Sequence, residues 1–319
     1  MGGPSAGQIG AAASEDAVVR RIAAALEEAS GPAPPGEVWI GDDAAVVRSP
    51  AGPLVLATDA CVAGVHADLA LVGLDDLGWK ALTATVSDIG AVGARPLHAV
   101  VSVCAPPGTD LDRLMAGVAA AAARWGTPVV GGDVTTADQL MVSVAATGTL
   151  EGPRPPVLRS GATAGDHLVV TGPLGGSAAG LRVLRRGGAG GPALIEHHRR
   201  PLARLAEGVV ARDAGATAMM DVSDGLALDL HRLAAASAVG FTLSSVPVAT
   251  GATEEEALGG GEDYELVIAV DDPDRLAAAF AAARLRPPVV VGRCTGDAAV
   301  RTLRGRPLAP LGYQHPVGS

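Results

Sequence analysis

Short apolar runs alternate along the chain with longer stretches in which apolar residues recur at helical spacing, and acids gather where the runs end. A first helix is expected from Ser14, a polar cap followed by Glu15 and Asp16 at the positive end of the dipole, to about Ala29, where GPAPPG stops it. The run LVLATD (54–59) predicts a buried strand ending in an acid, and DDLGWKALTATVSDIGAVGA (75–94) a helix with small residues on one face. Strands follow at LHAVVSV (97–103), PVVGGD (128–133) and QLMVSVAATGTL (139–150), with a helix over 110–125 between the first two. The prolines of EGPRPPV (151–157) mark a linker, after which HLVVTG (167–172) opens a second series of the same kind. Helices are expected there over 177–186, 201–214, 225–238 and 273–284, with strands TAMMDV, FTLSS, YELVIAV and PPVVVGRC between them. The alternation predicts two α/β domains, residues 1–150 and 151–319. RRGGAGGPA (185–193) reads as a flexible loop, and no fixed-period repeat is visible.

A chain of 319 residues, 48% of them apolar, is long enough for two cores. Its formal charge of −10, not gathered into a tail, argues against nucleic acid or an anionic membrane as partner and favours small-molecule chemistry. Cys61, Cys104 and Cys294 lie far apart with no C-x-x-C pair, so neither a zinc site nor a disulfide framework is expected, and a reducing cytosol fits. No segment has the roughly 18 uninterrupted apolar residues of a membrane span, and MGGPSAGQ lacks the basic flank and apolar stretch of a signal peptide. The protein is therefore expected to be soluble and cytoplasmic. The basic residues change the picture most, because they include one lysine only, Lys80, preceded by Trp79. No G-K-[ST] phosphate loop exists, and a lysine base or Schiff base would rest on that single residue. Phosphate, if handled, must be neutralised by arginine, backbone N–H groups and metal ions.

Acids recur at strand or loop ends, mostly beside small residues: GDD (41–43), TD (58–59), VSDIGA (86–91), GGD (131–133), MDVSDG (220–225) and GGGEDYE (259–265). Any one of them could be a turn residue accepting its own backbone N–H. Asp88 lies in an apolar helical stretch where an unpaired acid is costly, and Asp221 and Asp224 could equally cap a helix. As a set, carboxylates converging from neighbouring strand ends would repel one another unless hard cations sat among them, which points to magnesium. The spacing excludes an EF-hand, since nothing reads D-x-D-x-D-G-x₅-E. TGPLGGSAAGL (171–181) could seat a phosphate at a helix N-terminus or be ordinary punctuation. His197 and His198 read as a solvated helix end, and His66 as a surface or substrate-facing histidine. No G-x-S-x-G and no cysteine nucleophile context is present.

Together GDDAAVV, TDACVAGVH, GWKALTATVSDIGAVGARP, GGDVTT, RSGATAGDHLVVTG, RRPLARLAEG, MDVSDGLALDL and GGGEDYEL resemble, in order and over nearly the whole chain, the thiamine-monophosphate kinase family. Its superfamily also holds aminoimidazole ribonucleotide synthetase, selenophosphate synthetase and a hydrogenase maturation factor; GGGEDYEL and LGYQHP favour the kinase. The resemblance implies an α/β (α+β) fold of two domains. The N-terminal one, a mixed sheet with helices, would bind ATP and Mg2+ and pair across a homodimer into a β-barrel; the C-terminal one is of the aminoimidazole ribonucleotide synthetase-like type. It further implies that Asp43, Thr58, Asp59, Asp88, Asp133, Asp221 and Asp224 ligate magnesium, Asp88 and Asp224 being essential to catalysis. Gly132, Asp133, Arg159 and Ser223 would bind ATP, and His66, Glu262 and Tyr313 thiamine monophosphate. The chain departs from the family at Ala67, where an aromatic is usual, in GGDVTT where GGDTT is usual, and in its 2% aromatic content.

The implied reaction passes the γ-phosphoryl of ATP to the phosphate of thiamine monophosphate. That acceptor, with a second pKa near 6, is already anionic and needs no base. The obstacle is electrostatic: one like-charge pair at 4 Å costs about 4 kcal/mol at an effective dielectric of 20, and metal ions remove it. Asp43 is the expected ligand of its loop, with Asp42 capping the turn or binding through water. The rival readings are an aminoimidazole ribonucleotide synthetase, in which ATP activates an amide oxygen, and a regulator that binds ATP–magnesium without turnover. A selenophosphate synthetase fits less well, since its N-terminal reactive cysteine has no counterpart before Cys61.

Overall fold

The computed structural model describes residues 15–316, so the Ser14 cap and the MGGPSAGQ start lie outside the described residues. Helix α1 (Glu15–Ser30) is followed by β1 (Leu54–Val62), α2 (Leu74–Ala91), β2 (Arg95–Ala105), α3 (Leu111–Trp125), β3 (Val129–Thr136) and β4 (Met141–Thr149). The strands form one sheet in the order β1-β4-β2-β3, antiparallel except between β2 and β3. Period-two alternation turns Val142, Val144 and Ala146 into the core beneath the helices. The other face is open, and Leu56 on it is 70% exposed. LVLATD is thus buried on one side only, because the helices cover a single face of this sheet.

Past residue 150 come β5 (His167–Val170), α4 (Gly176–Arg185), α5 (Pro192–Arg199), α6 (Leu205–Asp213), β6 (Ala218–Asp221), α7 (Leu226–Ala236) and β7 (Gly240–Leu243). They are followed by α8 (Glu254–Gly259), β8 (Leu266–Val270), α9 (Pro273–Ala282), β9 (Val289–Thr295), β10 (Arg301–Leu303) and β11 (Arg306–Pro307). The sheet order is β11-β10-β7-β9-β5-β8-β6, and only β7 with β10 pairs in parallel. Its central strands are continuously apolar because both faces are covered. Leu266, Ile268 and Val270 join the core of Leu276 and Phe280 from α9, while Val267 and Ala269 join that of Leu226 and Leu230 from α7. Register keeps the two cores separate: Val169 and Met219 stand opposite Ile268, and Leu168 and Ala218 opposite Ala269. Helix α5 begins inside the stretch expected to be loop, with Pro192 preset for its first turn. Helix α8, also missed by spacing, is started by a capping box between Thr253 and Glu256.

Both halves of the chain meet on α2, which is buried along most of its length. Glycine allows the approach. A Cβ on Gly117 of α3 would stand 1.8 Å from the Asp75 carbonyl oxygen, and one on Gly208 of α6 only 2.0 Å from that of Gly90. Arg200 adds ion pairs to Asp75 and Asp76 at 2.9 and 3.2 Å, and the Trp79 indole donates to the Pro201 carbonyl at 2.9 Å. Farther along the junction the buried Glu265 accepts from Arg204 at 2.7 Å, from Arg286 at 2.6 Å and from the Thr171 hydroxyl at 2.5 Å. Burial alone would raise its pKa, but the two guanidiniums outweigh that and hold it below the usual carboxylate value.

Gly208→Ala should lower stability by about 1–3 kcal/mol through overpacking against α2, seen as a lower urea midpoint. Because the folded pKa of Glu265 lies below the unfolded one, its contribution is complete above about pH 4.3 and is lost as pH falls through the folded value. Glu265→Gln should lower stability at neutral pH and remove that acid-side slope from denaturation curves.

Candidate active site

Between α2 and β1 on one side, and α4 with the turns at 221–224 and 260–264 on the other, lies a cleft of about 780 Å³. Lys80, Ala84 and Asp88 fall on one face of α2 at i, i+4 and i+8 and form a wall. The pleat of β1 turns Asp59 toward that wall and Thr58 away from it. Asp221 ends β6, and Ser223 and Asp224 occupy the turn into α7.

Three acids here share one predicament. Burial raises the pKa of Asp59, Asp88 and Asp221 alike; Asp88 is raised further by Asp221 and Asp59, and Asp221 by Asp229 and Asp59. Asp221 has the Ser87 hydroxyl as donor at 2.6 Å, whereas Oδ2 of Asp59 is buried without a hydrogen-bond partner. The Arg159 guanidinium acts on both Asp88 and Asp221 from outside the cleft lining. Among the described residues no three His, Cys, Asp or Glu side chains are gathered closely enough to hold a metal ion by themselves.

Neighbouring acids are satisfied by protein. Oδ2 of the buried Asp229 accepts the N–H groups of Ser223, Asp224 and Gly225 at 3.1, 3.0 and 3.1 Å. Asp229 therefore closes the start of α7, so neither Asp221 nor Asp224 is its cap; Asp224 pairs with Arg232. The glycine turn before α4 keeps no seat for phosphate, since the buried Asp263 carboxylate takes the N–H groups of Gly175 and Ser177 at 2.5 and 3.1 Å.

Glu262 and Tyr264 both adopt left-handed backbone, with φ of 66° and 51°. Their N–H groups donate to the carbonyls of Ser223 at 2.8 Å and Val222 at 3.0 Å. The pair His197–His198 corrects the solvated-end reading. His198 is buried against the cleft, shares a hydrogen bond with the Ser177 hydroxyl at 3.1 Å, and is pushed down to about 3 by burial and nearby cations. His197 turns to Asp263 at 3.5 Å.

At the cleft rim, Nδ1 of His66 accepts the Val62 N–H at 3.0 Å, which places the neutral ring's proton on Nε2, and burial lowers its pKa. Ala67 leaves no aromatic beside it, yet His315 approaches His66 at 5.3 Å between ring centres and Tyr313 meets His315 edge-on at 4.9 Å. The Tyr313 N–H donates to the Asp224 carbonyl at 3.0 Å, tying this C-terminal segment over the site.

Asp59, Asp88, Asp221, Ser223, Asp224, His66, Glu262 and Tyr313 thus share one cleft, while Asp43, Thr58, Gly132 and Asp133 lie outside its lining. Register puts Thr58 and Asp133 on the open face of the first sheet. The Thr58 hydroxyl donates to the Val144 carbonyl at 3.0 Å, and Asp133 accepts from Thr135 at 2.9 Å. Asp43 is exposed, and Asp42 caps its N–H at 2.8 Å. A Cβ at position 132 would stand 2.0 Å from the Val101 carbonyl oxygen, which explains Gly132. Sequence reading missed Ser87, Asp229 and Asp263; the signal available for Asp229 was an acid inside the apolar run LALDL.

The chain matches the AIR synthase related protein N-terminal domain over residues 41–150 and the corresponding C-terminal domain over residues 163–303, so it belongs to that family. It is 36% identical over 287 residues to the thiamine-monophosphate kinase of Corynebacterium glutamicum, covering 83% of each chain. With that of Halobacterium salinarum it shares 40% over 288 residues, covering 86% of this chain and 94% of the other. Within the broader family the chain is therefore a member of the thiamine-monophosphate kinases. The crystal structure of the Stenotrophomonas maltophilia kinase superposes with a TM-score of 0.78 at 30% identity, covering 91% and 96% of the two chains. AaThiL complexed with AMPPCP and TMP superposes at 0.75 with 32% identity, covering 86% and 91%.

Asp229→Ala, which strands three N–H groups, is expected to lower stability by about 2–4 kcal/mol in chemical denaturation.

Proposed function

We propose that the cleft transfers the γ-phosphoryl group of ATP to the phosphate of thiamine monophosphate, giving thiamine diphosphate and ADP. The observation that carries this reading is the set Asp59, Asp88 and Asp221, brought together by burial with their charges opposed, in a fold shared with AaThiL in complex with AMPPCP and TMP. The acceptor's phosphate is anionic at neutral pH, so no base is required. Neither cleft histidine is needed for that role, His66 being lowered by burial and His198 pushed down to about 3.

Mutual repulsion among the three acids and the orphaned Asp59 oxygen fit a hard divalent cation. We assign Asp59, Asp88, Asp221 and Asp224 as its ligands within the cleft; the assignment does not extend to the exposed Asp43 or to Thr58 and Asp133 on the open sheet face. Protein carboxylates supply only part of a magnesium shell, and phosphate oxygens supply the rest, which suits the loose spacing of the acids. When bound, magnesium neutralises the charge of the two meeting phosphates. Ser223 in the lining and Arg159 beside Asp88 and Asp221 bind ATP, whereas Gly132 and Asp133, outside the lining, have no part in that contact. Glu262 sets its carboxylate against the cationic thiazolium ring, and His66 and Tyr313 flank the acceptor. We further infer a homodimer joined through the open sheet face, where Leu54, Leu56 and Val100 are exposed. A cytosolic setting agrees with three unpaired cysteines.

Incubation with ATP, magnesium and thiamine monophosphate should yield thiamine diphosphate by chromatography; no product would overturn the reading. Asp88→Asn and Asp224→Asn should each reduce turnover about a hundredfold or more in a folded protein. Arg159→Ala should raise the KM for ATP.

A further inference from the structure

Lys80 is the chain's one lysine, and its side chain is only 1% exposed. Its Nζ donates to Oε2 of Glu262 at 2.8 Å and to the His198 carbonyl at 3.3 Å. Burying an ammonium costs several kcal/mol before pairing repays it, and an apolar side chain of similar volume often serves a core equally well. Leu77, Ala81 and Leu82 beside it are apolar and buried, and Lys80 is the one basic side chain buried in α2. Stability alone does not account for a cation at position 80.

Glu262 supplies the reason. It sits in a left-handed conformation that costs a non-glycine residue about 1–3 kcal/mol, and its side chain is 25% exposed at the cleft. The other titratable bases near it among the described residues are His198, at 3.9 Å, and His66, and burial lowers the pKa of both. Lys80 reaches from α2 to a turn 182 residues away and engages Oε2, leaving Oε1 for a ligand.

We infer that Lys80 is the positioning residue for the acceptor end of the cleft: it locks the Glu262 carboxylate so that one oxygen faces a cationic ring. Lys80 thereby sets affinity for the acceptor and leaves the nucleotide end unaffected. This rests on the assignment of Glu262 to thiamine monophosphate made above.

The test combines kinetics with a label that only a single-lysine protein allows. Lys80→Met should raise the KM for thiamine monophosphate about tenfold to a hundredfold, with kcat and the KM for ATP within about threefold of the parent. In a double-variant cycle, Lys80→Met combined with Glu262→Gln should be no worse than Glu262→Gln alone. An unchanged KM for thiamine monophosphate, equal rises in both KM values, or additive losses would overturn the inference. Protein grown on ¹³Cε-lysine should show one lysine resonance, shifted by Glu262→Gln. A resonance indifferent to that substitution also overturns the pairing, and this measurement decides alone should Lys80→Met fail to fold. Absence of kinase activity in the parent would sink the proposed function and leave the resonance test standing, whereas an active parent with an unmoved KM in Lys80→Met would sink only this inference.

Discussion

The contact of Gly90 with Gly208, backbone against backbone, is the constraint on which the site depends. It seats α2 against the second half of the chain so closely that Ser87 reaches Asp221 and Lys80 reaches Glu262. An α-helix rises 1.5 Å per residue, so Lys80 and Asp88 are held about 12 Å apart along a rigid rod. The Lys80–Glu262 pair at one end of the cleft and the acids around Asp88 at the other are thereby held at a fixed separation. Side chains alone could not hold such a spacing, since loops relax and helices do not.

Charge is sorted along the same line. Asp229, Asp263 and Glu265 are all buried, yet each is surrounded by donors: backbone N–H groups for the first two, guanidiniums and a hydroxyl for the third. Asp59, Asp88 and Asp221 are enclosed with far less compensation, and their charges work against one another. Buried acids with full partners hold the fold together, whereas incompletely compensated ones carry raised pKa values and mark a candidate functional site. The distinction lies in the partners, since by residue type and neighbouring glycine the two groups look alike.

That is also why the sequence was informative to a limited depth. The apolar runs of β1 to β4 and the long small-residue helix α2 were legible from period and composition, although β1 is apolar on its open face as well and so looked more buried than it is. Acids at strand ends were visible too, but adjacency misleads in a strand: Thr58 and Asp59 are neighbours in sequence and face opposite sides of the sheet. The roles of His66, Glu262 and Tyr313 came from family resemblance, not from spacing. Asp229 left a single mark, an acid inside an apolar run, while the three backbone N–H groups it holds leave none. His198 looked solvated beside four basic or titratable neighbours, and tertiary packing buried it. Lys80 served only to exclude phosphate loops, since a count of lysines does not show where the lysine lies.

The closure of α4 by Asp263 has a consequence for selectivity. A helix start with free amides is an all-purpose anion trap that sulfate or stray phosphate can fill as readily as a nucleotide. Here that trap is permanently plugged by an internal carboxylate, and the neighbouring one at α7 is plugged in the same way by Asp229. Small anions from the medium find no generic foothold at either helix start.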